Sequence, residues 1–359
     1  MKFDFAIGNP PYQDNTLGDN DKYAPPVYHK FIDAAINVAS KVELVHPARF
    51  LFNAGSTPKE WNQKMLNNKH FKVLQYELDA SKLFQNTAIT GGIAVTYYDS
   101  ENVFKPIEFF SSFPELNSIR EKVASSLDFS PFSRIVSGRT PYLFTDILHS
   151  EYPFVKERLS DGHLFDIPSE AFSRLPELFL EEPNDKTNYF RVLGRINGKR
   201  DYRWILKKYV RERVEGASIG KWKVLLPKAN GASGMLGDTP ARLISKPVVG
   251  KPQDVSTDTF VFVGSYSNYE EAKATLNYIN SKFARILLGA LKVTQNNSKD
   301  TWAFVPLQDF TETSDINWST SISEIDKQLY KKYNLSQKEI EFIEKHVKEM
   351  EEKHEDTAD

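Results

Sequence analysis

An α/β layer, followed by a mixed α+β domain and a helical tail, is the architecture this 359-residue chain predicts. Three observations carry it. Up to about Ser111, apolar runs of strand length alternate with amphipathic stretches of helical period. Beyond Tyr152 the chain changes to short β-patterned segments separated by turn residues. From Ser321 onward it is charged and helical. The bounds that follow are 1–111, a Ser-, Phe- and Pro-rich connection at 112–152, a second domain at 153–310, and a tail at 311–359.

Each element has its own signal. Phe3–Gly8 is an apolar strand. Pro26–Ser40 predicts a helix with Val27, Phe31, Ala34, Ala35 and Val38 on its apolar face, and Val42–Val45 a buried strand. Thr57–Asn67 reads as a helix with Pro58 in its first turn and Trp61 and Met65 turned inward. Val73–Leu78, Ile93–Tyr98 and Ile107–Phe110 are strands. In the second domain, strands are expected at Tyr189–Gly194, Arg203–Leu206, Val224–Leu226, Leu243–Val249 and Thr259–Val263, with Asn197-Gly198 as a hairpin turn. One helix, Asn268–Leu288, carries Ala272, Leu276, Ile279, Phe283 and Ile286 at helical spacing. In the tail, Ser336 and Glu339 make a capping box, and Glu341–Lys345 and Glu344–Lys348 are pairs on a solvated face.

Composition narrows the chemistry. With no cysteine, disulfides, thiolate catalysis and Cys-ligated zinc are excluded. The seven histidines are scattered without metal-ligand spacing, so no metal is expected. Lys2 and Asp4 interrupt the apolar start, and no run approaches the roughly 20 apolar residues of a membrane span, so a cytoplasmic protein is expected. Net charge is only −2, but it is unevenly spread. From Asp185 to Pro252, sixteen Lys and Arg face five Asp and Glu, a local balance of +11, whereas Asp309–Asp359 is net −7. A basic middle beside an acidic tail is the pattern of a domain that grips a phosphate backbone.

The most specific signal is Asn9-Pro10-Pro11-Tyr12 at the end of the first strand. Two acceptors, the Asn9 side-chain carbonyl and the Pro10 backbone carbonyl, can take the two N–H bonds of an exocyclic amine. That pulls its nitrogen toward tetrahedral geometry and frees the lone pair. The prolines restrict the backbone, so the acceptors are held in place. Tyr12 offers a ring face to an unstacked base, a contact worth roughly 1–3 kcal/mol. Extruding that base costs a few kcal/mol, which stacking can offset.

This motif resembles the catalytic motif of S-adenosylmethionine-dependent amino-group methyltransferases. Its wider context resembles the bacterial type II restriction-modification adenine methylases, through Tyr23-Ala24-Pro25-Pro26-Val27-Tyr28, Val42–Leu51, Leu83-Phe84-Gln85-Asn86-Thr87 and Gly91–Tyr98, in that order. The resemblance implies direct methyl transfer to N6 of a flipped adenine in double-stranded DNA, with Asn9, Pro10, Pro11 and Tyr12 catalytic and Tyr12 and Phe84 stacking on the base. Phe84 could equally be plain core. Pro25-Pro26-Val27-Tyr28 also fits a WW-domain ligand pattern, but its place before an amphipathic helix favours a helix start. The same four residues occur in enzymes that methylate release-factor glutamines, and close variants occur in RNA guanine methylases. Those should lack a long recognition domain.

The resemblance also implies a partial Rossmann-like sheet. In the family order 3-2-1-4-5-7-6 this chain would supply strands four to seven. The Gly-rich turn and ribose-binding acid of the cofactor half cannot be placed: the glycines of Asn230–Gly237 lie far downstream with no βαβ context. Most of the S-adenosylmethionine site would then be missing, as in a truncated polypeptide, a gene fragment or one subunit of a split enzyme. A partner chain or dimer contact is expected to cover the edge of the Asp4–Gly8 strand.

The end of the second domain, through Val305-Pro306-Leu307, resembles the target-recognition domains of restriction-modification specificity proteins. Candidate DNA contacts are Lys228, Asn230, Arg242, Lys246, Lys251, Lys292, Thr294, Gln295 and Asn296. No nuclease motif stands out. A non-catalytic DNA-binding or specificity subunit remains the alternative.

Overall fold

The computed structural model describes residues 3–14, 24–52, 56–77, 79–84, 89, 91–111, 113–229, 236–237, 239–292 and 296–350. The chain divides into two compact units, Met1–Asn117 and Ser118–Asp359.

The first unit is built on β1 (Phe3–Gly8), α1 (Tyr28–Val38), β2 (Ala39–Pro47), α2 (Lys59–Leu66), β3 (Phe71–Glu77) and β4 (Ile93–Asp99). They form one sheet in the order β1-β2-β4-β3. β1 and β2 are parallel, and β4 is antiparallel to both β2 and β3. β1, β2 and β3 therefore run the same way, and their carboxyl ends share one end of the sheet.

The two faces of this sheet differ. Registered neighbours share a face, so Ala6, Val42, Tyr98 and Phe71 line up on one side. There Tyr28 and Ile32 of α1 and Trp61, Met65 and Leu66 of α2 close a core with Val42, Leu44, Phe71 and Ala94. Each Val, Leu, Ile, Met or Phe among them contributes about 1.5–3 kcal/mol on burial. On the other side Phe3, Phe5 and Ile7 are 65%, 64% and 78% exposed.

The buried stripe of α1 is displaced from the expected one. Tyr28 and Ile32 are buried, with Ala35 and Ile36 packed against the core, while Phe31 and Val38 are 44% and 47% exposed. Tyr28, Ile32, Ala35 and Ile36 are themselves an i, i+4, i+7, i+8 series, so two apolar stripes compete in this helix. The last expected strand, Ile107–Phe110, is irregular, with Glu108 at φ 50°, although Ile107 and Phe110 still pack on the core.

α3 (Pro114–Ala124) carries the chain into the second unit, where β5 (Tyr142–Phe144), α4 (Asp146–Glu151), α5 (Phe154–Arg158) and α6 (Ala171–Arg174) follow. Next come β6 (Tyr189–Ile196), β7 (Lys199–Leu206), β8 (Val210–Glu212), β9 (Trp222–Pro227), β10 (Val248–Gly250), β11 (Asp254–Ser256) and β12 (Phe260–Tyr266). The sheets are β11-β6-β7, β10-β9-β12 and β5-β8. Of the expected Leu243–Val249 strand only its end is β-structured; Leu243 sits at φ 66°. The hairpin turn is as expected, with Asn197 and Gly198 at φ 52° and 79°.

The expected single helix is two: α7 (Tyr269–Asn280) and α8 (Lys282–Leu291). Ser281, extended at ψ 147°, ends the first and caps the second by accepting from the Ala284 amide. Parts of the segments expected as a connection (112–152) and a tail (311–359) pair or pack with other elements of the second unit. β5 pairs with β8. α9 (Ile322–Lys332) and α10 (Gln337–His346) bury Ile325, Leu329, Phe342 and Ile343, and Asp326 accepts from the first amides of α8, Lys282 and Phe283, at 3.0 and 2.9 Å. The capping box of Ser336 and Glu339 forms. Glu344, expected to pair with Lys348, accepts instead from Lys282 (2.5 Å) and the Tyr330 hydroxyl (2.9 Å).

Candidate functional site

Asn9-Pro10-Pro11-Tyr12 leaves the carboxyl end of β1 and is tied to the segment that opens α1. The Val27 amide donates to the Tyr12 carbonyl at 3.1 Å, the Asp14 amide to the Pro25 carbonyl at 2.9 Å, and Gln13 bridges Pro26. Prolines at 25 and 26 thus serve as acceptor and bridge in a short antiparallel contact, where their missing amides cost nothing. Asn9 and Pro11 are exposed; Pro10 and Tyr12 are half-buried. The Tyr12 hydroxyl is enclosed without a well-formed hydrogen bond. Burial raises its pKa, and the adjacent Asn9 side chain offsets part of that rise.

Beside the motif lies an open cleft of about 650 Å³. Pro11, Gln13 and Asp14 form one side, and Val27, Lys30 and Phe31 the other. The stripe expected to be buried thus supplies part of a concave surface. Lys30 and Asp14, which sequence reasoning missed, sit there too; their signal is position, in the first turn of α1 and two residues past the motif.

Phe84 emerges at the same end of the sheet, after β3 and a 3₁₀ turn whose Ser81 amide is capped by Asp79 at 3.0 Å. It is half-buried, and among the described residues no ring contact joins it to Tyr12. Gln85, Asn86 and Thr87 lie outside the described residues. At the end of β2, His46 lies flat against Tyr28, ring centroids 5.7 Å apart and planes 4° from parallel, and its Nε2 is 2.7 Å from Thr96 Oγ1. Burial lowers the His46 pKa to about 4 and raises that of Tyr28 to about 12, so both are neutral supports of this end. Gly91, at φ 90°, lets Arg49 pass: a Cβ there would fall 2.6 Å from Arg49 Cγ.

In the second unit a cleft of about 390 Å³ lies beside the β6–β7 turn, bounded by Ser169, Glu170, Arg195, Asn197, Lys228 and Asn296. Two of the candidate DNA contacts, Lys228 and Asn296, meet here through the Ala229–Asn296 bridge and the Asn297 amide donating to the Lys228 carbonyl at 2.6 Å. Lys228 Nζ is 2.6 Å from Asp258 Oδ1. Arg242, Lys246 and Lys251 are exposed elsewhere on the unit. Lys292 is a correction: it is 2% exposed and its Nζ donates to the Leu243 carbonyl at 2.7 Å, bracing the loop that holds Leu243 rather than facing a ligand. Burial holds its pKa at about 8. Asn230, Thr294 and Gln295 lie outside the described residues.

The basic run is partly neutralised within the fold. Lys186, Arg191, Arg203, Lys208 and Arg213 pair with Glu182, Asp254, Asp201, Glu151 and Asp166. Lys223 is buried on the carbonyls of Ser218 and Lys221. Among the described residues no group of three His, Asp or Glu side chains is placed to hold a metal, and no helix is long and apolar enough to cross a membrane.

Residues 1–84, the stretch that holds β1, α1, β2, α2 and β3, match the family model described as Eco57I restriction-modification methylase. The first unit is therefore similar to restriction-modification methylases. More particularly, the chain is 33% identical over 95 residues to an uncharacterized adenine-specific methylase of Mycoplasma pneumoniae (strain ATCC 29342 / M129 / Subtype 1), a match spanning 26% of this chain and 22% of that protein. Among solved structures, the type IIG restriction endonuclease BpuSI aligns at a TM-score of 0.33 and 9% identity, over 85% of this chain and 44% of that one. A likeness of that degree assigns no residue a role.

Proposed function

We propose that the chain carries the target-base half and the DNA-recognition part of an adenine-specific, N6-directed DNA methyltransferase of the restriction-modification kind. The observation that carries this reading is the partly exposed Asn9-Pro10-Pro11-Tyr12 stretch at the carboxyl end of β1, within a segment that matches a restriction-modification methylase family. Ligand sites of open α/β sheets lie at such strand ends. The strand order β1-β2-β4-β3, with β4 reversed, also agrees with strands four, five, seven and six of the methyltransferase sheet.

In this reading a flipped adenine enters beside Tyr12 and stacks on its ring. Asn9 Oδ1 and the Pro10 carbonyl accept the two N6 hydrogens, which orients the amine and makes its lone pair available; no covalent enzyme intermediate is required. Phe84 closes the far side of the base. S-adenosylmethionine would be the methyl donor. The described residues do not fit it: the connection leaving β1 begins with Asn-Pro-Pro, and no glycine-rich strand-to-helix turn is present among them. The chain alone should bind that donor weakly, and a tight one-to-one complex by calorimetry would contradict this. A polypeptide that covers the edge of β1, a partner chain or a second copy, completes the proposal.

The poor fit of the described residues to that donor also favours a second reading, a DNA-binding subunit that keeps the fold but not the reaction. Transfer of radiolabelled methyl groups to duplex DNA, with the cofactor-binding half supplied, separates the two. Asn9→Ala should abolish incorporation; a variant as active as wild type would refute the catalytic reading.

A further inference from the structure

We propose that the β6–β7 hairpin is the element that enters a groove of duplex DNA, with the cleft behind its tip taking a base edge. This rests on the reading of the second unit as a DNA-recognition unit. The hairpin pairs without a bulge from Tyr189↔Leu206 to Ile196↔Lys199 and closes with a two-residue turn, so its tip is stiff. A two-stranded ribbon is one of the two shapes the major groove admits. Asn197, Gly198 and Lys199 at the tip are exposed.

The polar groups of the cleft are of both kinds, which distinguishes a base edge from a phosphate. Arg195 and Lys228 donate, Glu170 accepts, and Asn197 and Asn296 can do either. A phosphate would meet the Glu170 carboxylate and a lysine already held by Asp258. Arg195 Nε is enclosed there with no hydrogen-bond partner. A nucleobase edge satisfies such a mixed set, whereas the phosphates fall to the rim, where Lys199 is the exposed cation of the tip. Gly194, on the buried stretch of β6 behind the tip, seats the hairpin closely: a Cβ there would lie 2.5 Å from Phe172.

The chain's lack of cysteine makes the test direct. Lys199→Cys, carrying a photo-crosslinker, is mixed with a random-sequence DNA duplex over a salt series. Lys327→Cys, at an exposed position of α9, is the comparison. Lys199→Cys should crosslink to DNA, with a yield that falls as salt rises, and Lys327→Cys should not. Lys199→Ala should lower the slope of log binding constant against log salt by about one. Salt-dependent binding by wild type with no Lys199→Cys crosslink and no change of slope would overturn the hairpin assignment while leaving the recognition reading intact. Wild type that binds no duplex at any salt would overturn that reading, and the hairpin proposal with it.

Discussion

Lys228 and Asp258 face each other at 2.6 Å, Nζ to Oδ1, where β9 ends beside the cleft of the second unit. Both side chains are about a fifth exposed. A pair of that exposure adds little stability, on the order of 1 kcal/mol or less. It does withhold a cation from any anion nearby. Asp258→Asn should therefore leave the melting temperature nearly unchanged while tightening duplex binding and steepening its salt dependence by about one unit of slope. Fluorescence anisotropy over a salt series measures both. An unchanged slope would remove Lys228 from the DNA-contacting surface.

Tyr12 combines a ring face with a hydroxyl that is enclosed and lacks a well-formed hydrogen bond. The two parts can be separated. Tyr12→Phe removes the poorly satisfied group and should be neutral or slightly stabilising. Tyr12→Ala removes the ring and should weaken binding of a duplex carrying an unpaired target adenine by roughly 1–3 kcal/mol. If Phe and Ala bind that duplex alike, Tyr12 does not stack on the base.

Elements with strong periodicity or a specific turn were legible in the sequence: β1, β2, α2, β4 and the Asn197-Gly198 hairpin. So was the capping box at Ser336. What was not legible depended on tertiary choices. α1 offers two apolar stripes, and only packing against β2 and α2 decides that Tyr28 and Ile32 go in while Phe31 lines a cleft. Ser281 is one residue inside a continuous apolar pattern, yet its capping of Ala284 breaks the helix there. Lys292 reads as a surface cation until its contact with the Leu243 carbonyl is seen. Of the methyltransferase-like site, the strand-end motif was readable by residue type; the concave wall beside it, made by α1, was not.

His46 ties the stability of the first unit to pH. It is wholly buried, and its pKa falls from the ordinary 6.5 to about 4 because burial disfavours the imidazolium. Below about pH 6.5 the unfolded chain takes a proton that the folded unit refuses until about pH 4. Its contribution is therefore fully present above 6.5 and is lost as pH falls through that window, by a few kcal/mol in all. Asp326 in the second unit is shifted the other way. Burial raises its pKa to about 6, so it favours the folded state increasingly as pH drops from 6 toward 4. Thermal unfolding followed between pH 7 and 4.5 should show the first unit losing stability with acid, and a His46→Gln variant, whatever its own starting stability, should show a flatter pH dependence. An identical slope in wild type and variant would exclude His46 as the cause.

Phe3, Phe5 and Ile7 alternate along a strand that, among the described residues, pairs only with β2 and in parallel, and together they present an apolar row to solvent. Parallel strands ordinarily have both faces covered, and a sheet edge beside exposed apolar side chains is a template for pairing with another chain. Lys41, whose Nζ lies 5.7 Å from the Phe5 ring centroid, shields only part of that row. The isolated chain should therefore associate through this strand at micromolar concentrations and above. Replacing Phe5 and Ile7 together by Thr keeps β-propensity and removes the apolar row. Because these side chains are more than half exposed, the double variant should unfold within about 1 kcal/mol of wild type. Sedimentation velocity over a concentration series should show wild type shifting to larger species and the variant remaining monomeric. If both sediment identically at every concentration, the row does not drive association, and the case for a covering partner at β1 is lost.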